Sequence, residues 1–111
     1  MVPYRTLVAA GLYLAISTAA ASAADPIAYG KHLAGECTSC HKADGQDKGI
    51  PSITGWDVAE FVETMKYYQS GSRPNPAMQS VAQSLDDDQM QALAAYFATL
   101  PKPPKAAATK N

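Results

Sequence analysis

Apolar residues recur at helical spacing in two stretches of the chain. Val58, Phe61, Val62, Met65 and Tyr68 follow one another at intervals of three and four, which puts them on one face of an α-helix. Met90, Leu93, Phe97 and Leu100 form a second stripe, with Tyr96 alongside. Thr54-Gly-Trp-Asp57 reads as a capping-box-like start for the first helix, and Gly71 as its stop. Ser84-Leu-Asp-Asp87 opens the second. Asp86, Asp87 and Asp88 lie in its first turn, where negative charge offsets the helix dipole, and Pro101 ends it.

A shorter helix is predicted near residue 25. Asp25 suits the N-cap and Pro26 the first helical position. Ile27 to Ala34 then make about two turns. Gly30 sits inside them at a cost of ~1 kcal/mol relative to Ala. Close approach of another helix explains that cost, and a merely weak helix explains it equally well. Lys42 to Gly55 reads as loop, rich in Gly, Asp, Pro and Ser without any period. Ser72 to Ala77 reads as irregular, because Pro74 and Pro76 each remove a donor and restrict the residue before them. Met78 to Gln83 is long enough for one short turn. No strand-like alternation or internal repeat is visible. The fold class is all-α, with long central loops that need something to pack on.

The first residues do not look like part of that fold. Arg5 precedes an apolar run, Leu7 to Ile16, and then a small-residue stretch containing Ala21-Ser22-Ala23. That order is the pattern of a secretory signal peptide, cleaved near Ala23 or Ala24. A membrane anchor is the rival, but the run is too short for a bilayer core, which needs about 20 residues. The expected organisation is a signal peptide over 1–24, one domain over 25–101 and a disordered tail over 102–111. The chain of 111 residues has a net charge of −1, which excludes a broad basic face for nucleic acid. No other segment is apolar enough for a membrane span, so the cleaved protein is expected to be soluble and periplasmic. A domain this small often needs a disulfide, metal or cofactor to complete its core.

The candidate chemistry lies in Gly35-Glu-Cys-Thr-Ser-Cys-His-Lys42. A redox dithiol normally accompanies a βαβ pattern, which is missing. A zinc site wants four ligands; His32 and His41 would have to complete it, and the usual second arm is absent. Cys-x-x-Cys-His is the attachment motif of c-type haem. Cys37 and Cys40 would bond the porphyrin vinyl groups, and His41 would place its imidazole on the iron. One covalently bound haem also supplies an apolar body for the loops to wrap. A ligating histidine usually donates its other ring N–H to a carbonyl or carboxylate, and the carbonyl of Pro51 is the candidate.

The sixth ligand has four contenders: Met65, Met78, Met90 and His32. Met65 and Met90 belong to apolar stripes and read as core. His32 lies close to the motif in sequence. Met78 follows Pro74-Asn75-Pro76, whose stiffness would hold a loop at low entropic cost, and is the candidate. Methionine–histidine ligation raises the reduction potential and leaves no open position on the iron. That combination points to electron transfer rather than catalysis.

Together these residues resemble a class I c-type cytochrome. The resemblance rests on Cys37-Thr-Ser-Cys-His41, Gly49-Ile-Pro-Ser-Ile-Thr-Gly55, Tyr68-Gln-Ser-Gly-Ser-Arg73, Asn75-Pro-Ala-Met78 and Leu93-Ala-Ala-Tyr-Phe97. It covers most of residues 25–100, and is similar to the single-haem domain of bacterial tandem dihaem cytochromes and to the cytochrome subunit of flavocytochrome c sulfide dehydrogenase. It implies N- and C-terminal helices that cross near the haem, with Gly30 against Tyr96 or Phe97. It also implies His41 and Met78 as the axial pair, with the Pro51 carbonyl on His41. Lys42 and Trp56 depart from the family pattern, and Trp56 reads either as a donor to a haem propionate or as a core residue. The expected function is a periplasmic carrier of single electrons between redox proteins: a dehydrogenase, an oxidase or another cytochrome. The alternative is a non-catalytic haem subunit docked to a dehydrogenase, for example one oxidising a sulfur compound. A ligand-binding or peroxidatic haem would require Met78 to leave the iron.

Overall fold

In the computed structural model, the described residues are 25–103. The expected leader, residues 1–24, and residues 104–111 of the expected tail lie outside them. Five helices follow in chain order: α1 (Pro26–Leu33), α2 (Gly35–Thr38), α3 (Val58–Gln69), α4 (Pro76–Gln83) and α5 (Asp87–Ala98). No strand occurs among the described residues, as the all-α reading expects.

The N-terminal helix starts where its cap predicts. Asp25 Oδ1 accepts the Ile27 amide at 3.0 Å, and Pro26 occupies the first turn. α1 packs across α5. Gly30 is buried at the crossing, and a Cβ there would overlap the Ala92 carbonyl and lie 2.8 Å from Tyr96 Cβ. Of the two explanations for this glycine, close approach is the right one. The partner is the Ala92 backbone as well as Tyr96.

Two helix starts differ from expectation in their capping. Asp57, not Thr54, caps α3 by accepting the Glu60 amide at 3.1 Å. Thr54 is 1% exposed and shares a hydrogen bond with the Ser52 hydroxyl at 3.1 Å. Asp86 caps α5 in a full capping box, accepting the Gln89 amide at 2.8 Å while Gln89 Oε1 accepts the Asp86 amide at 3.0 Å. Asp87 and Asp88 then occupy the first turn, where their charge favours the helix. Gly71 ends α3 with φ +79°, a conformation that costs glycine little.

The segment between α3 and α5 corrects the sequence reading. Pro76 does not prolong an irregular stretch; it is the first residue of an eight-residue helix, α4. A proline at that position loses no hydrogen bond, because the first amides of a helix have no intrahelical acceptor. α2, only four residues long, was not signalled by any apolar period.

Phe61, Met65, Met90, Leu93 and Phe97 form the centre of the core. The Phe61 and Phe97 rings stack at 5.7 Å, and Trp56 meets Phe61 edge-on at 6.3 Å. Burying one such side chain contributes about 1.5–3 kcal/mol. The long loop before α3 is stitched to the end of α5, where the Gly55 amide donates to the Phe97 carbonyl at 2.9 Å. Lys102 and Pro103 lie beside Gly55 and Gly45, against the same loop.

Candidate cofactor site

The cysteine motif is built on a helical turn. Cys37 lies in α2, and the amides of Cys40 and His41 both donate to the Cys37 carbonyl, at 3.2 and 2.8 Å. This tight turn sends the His41 ring inward, leaving it 9% exposed. Cys37 is half-buried and Cys40 exposed, and neither is in a disulfide.

Burial, and secondly the charge of Glu36, push the Cys37 thiol above its ordinary range. A nucleophilic dithiol needs the opposite, a depressed pKa that favours the thiolate. The redox-dithiol reading therefore loses support. The zinc reading fares no better: no cluster of three or more His, Cys, Asp or Glu side chains occurs among the described residues.

His41 Nδ1 lies 2.7 Å from the Pro51 carbonyl oxygen. A carbonyl only accepts, so Nδ1 carries the proton and donates. In the neutral ring, Nε2 then carries the free lone pair. This is the tautomer that a metal-binding imidazole requires, held by the type of partner that such histidines usually have. The loop from Lys42 to Gly55, read as irregular from its composition, is what carries Pro51 to the ring.

Cys37, Cys40, His41 and Pro51 all line one cavity of about 390 Å³. Met78 lines it from the first turn of α4. Much of the remaining wall is apolar, with Ile50, Ile53, Phe61, Val81 and Leu93. Met65 also faces the cavity from α3, which the stripe-based assignment to core did not anticipate. Met90 is fully buried in the core, and neither it nor His32 lines the cavity.

The residues fit c-type haem. Two thiols stand beside a neutral imidazole, a thioether comes from another element, and an apolar cavity joins them. Imidazole and thioether are the ligand pair of electron-transferring c-type haem. Arg73 and Glu36 are the charged side chains on the lining, and the Arg73 guanidinium sits over the Tyr68 ring at 5.2 Å. Trp56 also lines the cavity, but its indole N–H donates to the Ser52 carbonyl at 3.2 Å. The donor is thus engaged within the protein, and the tryptophan braces the loop.

Gln69 and Asn75 were named above only within longer segments, without a role of their own: Asn75 Oδ1 accepts the Met78 amide, and Gln69 donates to the carbonyls of Ala82 and Leu85. Asn75 had a usable signal: like Asp25, it precedes a proline that opens a helix. Gln69 had none, because both its acceptors are distant in sequence.

Comparison with known proteins agrees with this chemistry. The family model described as cytochrome c oxidase, cbb3-type, subunit III matches residues 27–97. Cytochrome c-554(548) of Halomonas halodenitrificans is 32% identical over 77 residues, which is 65% of this chain and 93% of that protein. Cytochrome c-553 of Helicobacter pylori is 32% identical over 73 residues, 63% of this chain and 76% of the relative. A protein named thiosulfate dehydrogenase electron acceptor, from Stutzerimonas stutzeri, is 36% identical over 74 residues. That alignment takes in 64% of this chain but spans only about a third, 34%, of the relative. By the extent of the family match and the near-complete coverage of a small relative, the chain belongs to the cytochrome c family, an all-α fold for covalently bound haem and electron transfer.

Proposed function

We propose that the chain is a periplasmic electron carrier with one haem, attached through Cys37 and Cys40 and ligated by His41 and Met78. The observation that carries this reading is the 2.7 Å contact between His41 Nδ1 and the Pro51 carbonyl, inside a cavity that Met78 shares. Export rests on the leader pattern of residues 1–24, and the single haem on the single Cys-x-x-Cys-His motif and the two cysteines of the chain.

When bound, haem supplies a one-electron couple. The chain's own residues decide how that couple behaves. Pro51 keeps the proton on Nδ1, so His41 presents a neutral nitrogen in a fixed orientation. Phe61, Val81 and Leu93 give the cavity an apolar lining, which would limit reorganisation when charge changes. Met78 supplies a soft sulfur donor, which favours the reduced state. With His41 and Met78 both on the iron, no position would be left for a substrate, which supports a carrier.

The partners are redox proteins. A relative's designation as a thiosulfate dehydrogenase electron acceptor favours a second reading, in which this domain serves a dehydrogenase acting on a sulfur compound. Purification distinguishes a free carrier from a fixed subunit: a monomer at micromolar concentration argues for the former.

Substitution of Met78 tests the ligation. The ferric parent is expected to show the weak red absorption band of methionine-to-iron charge transfer, and Met78→Ala is expected to abolish it. Retention of the band in Met78→Ala would transfer the role to Met65, the other methionine on the cavity wall.

A further inference from the structure

We propose that Asn75 and Gln69 are positioning residues that hold Met78 in place, one from each end of α4. The proposal rests on the reading of Met78 as sixth ligand. α4 is eight residues long, and isolated helices shorter than about 12–15 residues are marginal in water. Among the described helices it packs against α3 alone. Something beyond its own propensity must therefore keep it closed over the cavity.

The ties are visible at both ends. Asn75 Oδ1 accepts the amide of Met78 itself at 3.1 Å, and Asn75 also lines the cavity. The cap thus acts on the backbone of the residue whose side chain faces the cofactor. At the far end, Gln69 leaves α3 and donates from one amide nitrogen to the carbonyls of Ala82 at 3.2 Å and Leu85 at 3.0 Å. A primary amide has two N–H donors, so one side chain serves both acceptors. The Ala82 carbonyl, in the last turn of α4, also takes the Leu85 amide at 3.2 Å, and the Leu85 carbonyl lies in the link to α5, so Gln69 ties the end of α4 and that link to the helix that carries Met65. The cap holds the first turn of α4 in shape and Gln69 ties the far end to α3, and together they set the time Met78 spends in the cavity.

Opening of α4 would free the sixth position for an outside ligand. The apparent affinity for such a ligand is its intrinsic affinity scaled by the open fraction. The experiment is a titration of the ferric holoprotein with imidazole, with the red charge-transfer band and the melting temperature recorded on the same samples. Asn75→Ala is expected to tighten apparent imidazole binding about fivefold, the equivalent of a lost helix cap. Gln69→Leu is expected to tighten it about fivefold, because the Leu85 carbonyl loses its donor while the Ala82 carbonyl keeps the Leu85 amide. Asn75→Asp keeps the capping oxygen and is expected to retain the parent's affinity. Gly30→Ala, at the α1–α5 crossing, is expected to lower the melting temperature without changing imidazole affinity.

Parental imidazole affinity in both Asn75→Ala and Gln69→Leu, with lowered melting temperatures, would overturn the proposal and leave the two residues merely structural. The ligand reading fails separately. If Met78→Ala keeps the parent's band and affinity, Met78 is not the sixth ligand, and the positioning role falls with it. Asn75 is exposed and Gln69 half-buried, so both variants are expected to fold; far-UV circular dichroism of Asn75→Ala and Gln69→Leu, with a single cooperative melt, checks this.

Discussion

The α1–α5 crossing and the α3–α4 wall are both helix pairs, yet they close in different ways. At the crossing, Gly30 lets two backbones come so near that no Cβ fits between them. Protein atoms fill that space completely. The α3–α4 pair instead forms part of the boundary of a cavity of about 390 Å³; Gln69 ties it across and Asn75 caps α4 at Met78. Shape determines the first contact. The second has a surface shaped for a cofactor, so its stability is coupled to that cofactor. Phe97 belongs to both regions: it lies on α5, stacks on Phe61 of α3 and accepts the Gly55 amide.

The strongest way to break this division is to remove the covalent attachment. Cys37→Ala combined with Cys40→Ala is expected to abolish cooperative thermal unfolding, as followed by circular dichroism. Without haem the apolar wall, with Ile50, Ile53, Phe61, Val81 and Leu93, loses the body it packs on, in a domain too small to complete a core easily by itself. A haem-free double variant that still melted sharply near the parental temperature would show that the cavity walls stand alone.

Gly30→Ala probes the other region. Its Cβ meets backbone atoms of Ala92, which cannot rotate aside as a side chain would. The expected loss is about 2–3 kcal/mol, read from the urea midpoint, with the charge-transfer band unaltered in the folded protein. Loss of the band at zero urea would mean that the two regions are not separable.

Trp56→Phe is a finer probe of the cavity side. It keeps an aromatic ring but removes the indole donor to the Ser52 carbonyl, for an expected loss of about 1 kcal/mol. A visible-region spectrum identical to the parent's is the second expectation, since the indole N–H is engaged with Ser52. The smallest effect is expected at Lys66, whose ammonium pairs with Asp87 at 2.7 Å between α3 and α5. Both side chains are largely solvated, at 48% and 75% exposure. Lys66→Ala should change stability by less than ~0.5 kcal/mol, and a larger shift in the melting curve would show that this bridge joins the two regions.

Several of these features were legible along the chain because they are local. Asp25-Pro26 specifies a helix start through one side chain and one ring. The stripes of α3 and α5 record burial directly in their spacing. Cys37, Cys40 and His41 sit within one turn, so their chemistry needs no tertiary information to be recognised. Local signals also misled where two were present at once. Pro74 and Pro76 together read as irregular, although Asn75-Pro76 carries the same cap-and-proline signature as Asp25-Pro26. Thr54 looked like a cap because a hydroxyl in that register often is one, but packing buried it and left the cap to Asp57.

Sequence alone therefore determined the helical class, the two long helices and the Cys37–His41 segment proposed to attach haem, since each depends on residues close together in the chain. Only the tertiary structure decided the rest. It placed the Ala92 backbone against Gly30, brought the Pro51 carbonyl to His41 Nδ1, and set Met65 and Met78 on one cavity wall while burying Met90 elsewhere. It also joined Gln69 to the end of α4. These contacts link residues far apart in the chain, and which distant surfaces meet is settled by packing the whole domain around a shared interior, not by the preferences of any one segment.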